Sequence, residues 1–141
     1  MENKETYIKL FKLVEKLKNS DDPKRKYEYI LWLGKKLEVP KSNILLPEYK
    51  VSGCVSDVFV KPFIQEGKIF WEGYSDALIT KGLLAFLICG LNELKPEDVV
   101  KIDKKFIEQT GLKKSLTPSR SNGFLNILLK MQNQANQFLF D

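Results

Sequence analysis

The sequence contains no histidine, and that absence excludes a good deal of chemistry. Without an imidazole there is no Ser-His-Asp triad, no Cys-His protease pair, no HExxH zinc site and no histidine ligand for haem or iron. Cysteine occurs twice, at Cys54 and Cys89. Two thiols cannot complete a four-thiolate zinc or iron–sulfur site within one chain. They are also too few for a disulfide-rich scaffold, so a reducing, cytoplasmic setting is expected. Long apolar runs are missing too. The longest, Gly82 to Leu91, is about half the ~20 residues of a membrane span and reads as a buried helix. The N-terminus, MENKETYIKLFKLVEKL, carries charges every few residues and is neither a signal nor a transit peptide. Whatever chemistry remains must use cysteine, carboxylate, lysine or arginine.

What is present suits one domain. A chain of 141 residues with 43% hydrophobic side chains can bury a core. No repeat, low-complexity tract or linker divides it, so residues 1–141 are expected to form one domain with no further domain fused to it. The net charge of +5 is uneven. Residues 1–50 carry 12 basic and 8 acidic side chains, residues 51–100 carry 4 and 7, and residues 101–141 carry 7 and 3. The lysines are scattered, arginine occurs only at Arg25 and Arg120, and no basic run with interleaved aromatics appears. This is a solvated lysine-rich surface rather than a nucleic-acid site.

The hydrophobic period changes twice along the chain. Tyr7, Leu10, Phe11, Val14 and Leu17 predict an amphipathic helix over 4–18. Asp22 and Pro23 supply a cap and a first position for a second helix, whose face includes Gly34, a sign of close contact with another element. Residues 41–46 are expected to add one helical turn, closed by Pro47. Val58 to Ile64 and Ile69 to Tyr74 then read as a hairpin about Gln65-Glu66-Gly67-Lys68, with Lys50 to Cys54 as an extended lead-in or third strand. Pro62 makes the first strand an edge or a bulged one. Ala77 to Leu91 is apolar almost all round, as a central buried helix would be, with Lys81 its only charge. A short helix starts at Pro96-Glu97-Asp98, with Gly111 able to cap the helical segment before it. Thr117-Pro118 opens the last helix, which runs to about Gln137. The order of helices, small antiparallel sheet and helices is α+β in one domain.

Cys54 stands on a polar loop, Val51-Ser52-Gly53-Cys54-Val55-Ser56-Asp57. Gly53 permits an unusual turn there, and Ser52 and Ser56 offer hydroxyls beside the sulfur. A loop thiol can be presented to a partner; the competing reading is a small buried hydrophobe. Cys89, inside Phe86-Leu87-Ile88-Cys89-Gly90, reads as packing. Arg120 falls in the first turn of the last helix, against the helix dipole, and calls for an intrachain carboxylate or an anionic ligand. Asp76 can cap the central helix, and Lys81 can snorkel to the surface.

Three strings together resemble a known family. They are Val51 to Phe59 (VSGCVSDVF), Gly73 to Leu83 (GYSDALITKGL) and Leu116 to Gly123 (LTPSRSNG). In order and in spacing they resemble the SufE/CsdE family of sulfur-acceptor proteins, which partner cysteine desulfurases in iron–sulfur cluster assembly. Phe59 departs from the family, where Trp is frequent, and Cys89 matches no motif position. The resemblance implies an IscU-like fold and a persulfide carried on Cys54. It marks Gly53, Ser56, Asp76, Lys81 and Arg120 as supporting or partner-contact candidates. It implies no cofactor and no metal of the chain's own. It implies as partners a pyridoxal-phosphate cysteine desulfurase of SufS/CsdA type and a downstream iron–sulfur scaffold, with no nucleic acid or membrane.

The implied step is thiol–disulfide exchange applied to sulfane sulfur, with the Cys54 thiolate as nucleophile. An ordinary thiol is only a few per cent ionised near neutrality, so Arg120, Lys50, backbone N–H groups or the partner's site must assist. Three rivals stand beside this reading. A scaffold holding the cluster itself needs more ligands than one loop cysteine and no histidine provide. A thiol peroxidase and an interaction module with a structural Cys54 are the others.

Overall fold

The computed structural model describes residues 4–140. The described residues form six α-helices and one two-stranded sheet. The first helix, α1, covers Ile8–Lys18 and buries Leu10, Leu13, Val14 and Leu17. It starts later than its period predicts, because residues 4–7 are turns and no side chain caps the helix. Tyr7 instead sends its hydroxyl to the carbonyl of Asp98, 2.7 Å away. Helix α2 covers Pro23–Lys35, with Asp22 as its cap accepting from the Lys24 N–H at 2.9 Å.

The helical turn expected at 41–46 is displaced. It forms at Pro47–Tyr49 as a short 3-10 turn that Pro47 opens rather than closes. The preceding segment is held another way: Glu72 accepts from the Lys41 N–H and from Ser42 Oγ. Lys50 contributes only an isolated bridge to Phe59, so the extended lead-in is present and the third strand is not.

Strands β1 (Val58–Gln65) and β2 (Lys68–Ser75) pair antiparallel from Val58↔Ser75 to Gln65↔Lys68. Both residues of the two-residue turn, Glu66 and Gly67, have positive φ, as a primed hairpin turn requires. Pro62 causes no bulge. It faces Trp71, whose N–H points away from β1 to Asn92 Oδ1, so this pair exchanges no backbone bonds and the missing N–H breaks no rung. A lone hairpin is marginal in water. Here the outer side of β1 is held at Val58 by the Val51 N–H and at Val60 by Gln134, and β2 by Leu94 and Asn92.

Helix α3 (Leu78–Leu91) is the centre of the domain and buries most of its residues. It contacts β2, α1, α2 and the last helix, α6 (Pro118–Gln137). Phe86 meets Phe124 edge to face at 5.7 Å. The contact foreseen at Gly34 is with Gly82: a Cβ on Gly34 would lie 2.9 Å from the Gly82 nitrogen, and one on Gly82 would collide with the Ile30 carbonyl. The segment after Pro96 forms two pieces, α4 (Pro96–Val100) and α5 (Phe106–Gln109), with Gly111 in the left-handed region just past α5. No helix among the described residues is long and apolar enough to cross a membrane.

Candidate functional site

The loop carrying Cys54 is pinched at its base. Val51 N–H donates to the Val58 carbonyl at 2.9 Å. At the other end Asp57 N–H donates to Asp76 Oδ1 at 3.0 Å, and Asp76 N–H returns to the Asp57 carbonyl at 3.3 Å. Asp76 therefore does not cap α3. That position is Ala77, whose N–H goes to Ser75 Oγ, while the Asp76 carboxylate closes the cysteine loop. Lys50 also serves the base: its Nζ lies 3.5 Å from Asp57 Oδ1 and is paired there.

Between these pins the loop lies along α6. Gly53 has φ +80, a left-handed conformation that favours glycine. Its carbonyl accepts from Asn126 Nδ2 at 3.1 Å. Cys54 is half-buried, and its Sγ donates to the Gly123 carbonyl at 3.7 Å. Neither Ser52 nor Ser56 bonds to the sulfur. Ser56 Oγ instead accepts from Arg120 Nη1, which also donates to Thr80 Oγ1 at 2.6 Å. Arg120 is positioned by the cap of α6, where its own N–H meets Thr117 Oγ1. Of the two expected partners, an intrachain carboxylate or an anionic ligand, the first is not found: among the described residues the guanidinium is held by the hydroxyls of Ser56 and Thr80 and pairs with no acid.

Burial of the sulfur pushes the Cys54 thiol above its ordinary pKa, and the Arg120 charge opposes this without reversing it. The Gly123 carbonyl acts in the same direction as burial, because it accepts a hydrogen bond that only the thiol can donate. The free chain thus holds Cys54 protonated and poorly nucleophilic. Alkylation of Cys54 against pH is expected to have its midpoint above that of a simple thiol; a midpoint at or below it contradicts the burial seen here. The native thiol keeps its proton to higher pH than the unfolded one. Its contribution to stability is therefore complete below the unfolded pKa and is lost as pH rises through the native value.

The structure brings together Gly53, Cys54, Ser56, Asp76 and Arg120 but not Lys81. Lys81 is half-buried one residue beyond Thr80, and its ammonium makes no hydrogen bond or ion pair among the described residues. Thr80, Gly123 and Asn126 escaped the sequence reading. For Gly123 and Asn126 the signal is the spacing of 120, 123 and 126, which places three residues on one face of α6, whereas Thr80 had only its place in the second string. The expectation for Cys89 is corrected: it is exposed. It belongs to a stripe formed by Ala85, Ile88 and Cys89 of α3 and by Asn92 just beyond its end, which lines a groove of about 400 Å³ together with Leu33 and Trp71. No group of three His, Cys, Asp or Glu side chains among the described residues is placed to hold a metal ion.

Residues 11–135 match the family described as SufE, Fe-S metabolism associated domain. A SufE-like protein of Synechocystis, itself uncharacterized, is 48% identical over 129 residues, which cover 92% of this chain and 81% of that protein. SufE-like protein 1, chloroplastic/mitochondrial, of Arabidopsis thaliana is 40% identical over 90% of this chain and 34% of its own length. The cysteine desulfuration protein SufE of Plasmodium falciparum is 36% identical over 88% of this chain and 51% of its own. The chain thus spans most of the cyanobacterial relative but about half or less of the plant and parasite proteins. A solution structure of a hypothetical protein from Thermus thermophilus has the same fold, with a TM-score of 0.81 and 26% identity, over 94% of this chain and 97% of that one.

Proposed function

This chain belongs to the SufE family, and on that premise we propose that it carries sulfur on Cys54 from a cysteine desulfurase of SufS/CsdA type towards iron–sulfur cluster assembly. The observation that carries the reading is the state of the thiol. Cys54 is neither in the core nor freely exposed; it is tucked against α6 on a short loop held by polar contacts. A thiol held protonated is protected, and a loop held by a few hydrogen bonds can be released when a partner supplies replacements.

In the transfer step the Cys54 thiol gives up its proton, and its sulfur forms a new bond to the terminal sulfur of the donor's persulfide. The donor's S–S bond breaks and its own cysteine leaves as thiolate. One sulfane sulfur atom passes over: one S–S bond breaks as another forms, so no external oxidant or reductant is needed. Arg120, with no carboxylate to neutralise it, supplies positive charge near the sulfur and lowers the thiol pKa once burial is relieved. The surface around the loop suits a protein partner. Val55 and Leu78 are each 74% exposed, large apolar side chains beside the thiol and at the start of α3. A reducing compartment such as the cytoplasm keeps the thiol available. The sulfur would pass on to an iron–sulfur scaffold, with the cluster as cargo rather than as a resident group.

The test is peptide mass spectrometry after incubation with a desulfurase and free cysteine. A gain of roughly 32 Da, one sulfur atom, is expected on the Cys54 peptide and not on the Cys89 peptide. Sulfur on neither peptide, or on Cys89 alone, overturns the proposal.

A further inference from the structure

Along α6, positions 120, 123 and 126 face the cysteine loop in sequence. Arg120 holds Ser56, the Gly123 carbonyl receives Cys54 Sγ, and Asn126 holds the Gly53 carbonyl. Loop and helix therefore run in opposite directions, with the sulfur between two tethers of unequal strength. The Arg120 tether is charged and part-buried, and it engages Ser56 and Thr80 together. The Asn126 tether is one neutral, exposed bond of 3.1 Å. Hydrogen bonds from charged donors are roughly twice as strong as neutral ones. The weaker tether also ends on the glycine of the loop, where the backbone reorients most easily. The fit is close: a Cβ on Gly53 would lie 2.5 Å from Asn126 Nδ2. Asn126 lies beyond the last of the three strings that carry the family resemblance.

We propose that Asn126 is a positioning residue for Cys54: its amide is the latch that keeps the thiol against Gly123, and the loop opens from this end while the Arg120 end stays attached. This deepens the sulfur-carrier reading, but it concerns the free chain and can fail or succeed without any sulfur donor present.

The experiment is iodoacetamide alkylation of Asn126→Ala and Asn126→Leu, followed peptide by peptide across pH. Leucine keeps the bulk beneath Gly53 and removes the amide. Loss of one exposed hydrogen bond is expected to raise the open population, and so the Cys54 rate at neutral pH, about three- to tenfold in both variants. The midpoint of the pH profile moves down, towards a simple thiol, as the sulfur regains water. The Cys89 rate stays where it was, and the thermal midpoint falls by no more than a few degrees. Three results overturn the proposal: a Cys54 rate within twofold of the parent in both variants, acceleration in Asn126→Ala alone, or Cys54 and Cys89 accelerating together. The second assigns the effect to bulk rather than to the amide, and the third to general loosening.

Discussion

Cys54→Ser is expected to accept no sulfur at all while folding as the parent does. The change exchanges one atom at a half-buried position, and the serine hydroxyl can still donate to the Gly123 carbonyl, so stability should move by no more than about 0.5 kcal/mol. The chemistry has no such tolerance, because an oxygen in place of sulfur cannot receive sulfane sulfur by thiol–disulfide exchange. The adduct on residue 54 should vanish and desulfurase turnover should fall to its unassisted rate. Binding to the desulfurase should survive, since Val55, Leu78 and the loop's tethers are untouched. If the serine variant stimulated turnover as fully as the parent, the chain would act by binding alone and the carrier reading would be wrong.

The largest effect on stability is expected at Gly82→Val. The Cβ of any residue there would run into the Ile30 carbonyl, part of the α2 backbone, and a backbone cannot turn aside as a flexible side chain does. Valine adds two further carbons at the closest approach of the two helices. Overpacking of this kind costs about 3 kcal/mol or more. In a domain of this size that is a fall in the thermal midpoint of roughly 10 °C, measurable by calorimetry. Gly67→Ala makes a useful contrast, because it strains a turn with open space around it and meets no neighbour within 4 Å. A loss at Gly82→Val no larger than that at Gly67→Ala would mean that the α2–α3 contact gives way more easily than its geometry implies.

The elements written most plainly in the sequence were those with local chemical signals. Asp22-Pro23 and Thr117-Pro118 open helices where expected, each through a side-chain oxygen accepting a backbone N–H. Glu66-Gly67 turns the hairpin because two adjacent positive φ angles need residues that tolerate them. The failures are tertiary. Residues 41–46 do not coil because a carboxylate from β2 takes their backbone N–H and serine hydroxyl, and nothing local announces Glu72. Cys89 sits among Phe86, Leu87 and Ile88 on a helix so apolar that its period cannot mark an exposed position. At the site, Cys54, Ser56 and Arg120 lay within recognisable strings. Thr80 lay within a string too, but like Asn126 it matters only through what α3 and α6 bring against the loop.

The two pins at the base of the cysteine loop set the reach of the sulfur. Val51 is bonded to Val58 and Asp57 to Asp76, so even with its contacts to α6 released the loop can move only between these pins, over residues 52–56. Cys54 is three residues from each pin, and an extended chain covers at most ~3.3–3.6 Å per residue. Its Cα can therefore travel no farther than about 10 Å from either anchor. A leash of that length serves a donor cysteine lying at or just below its own protein's surface. It cannot serve one at the bottom of a deep channel unless the rest of the domain enters as well. The depth of the cleft that this chain can serve is thus fixed by where its loop is tied, and moving a pin by one residue would change that depth by about 3 Å.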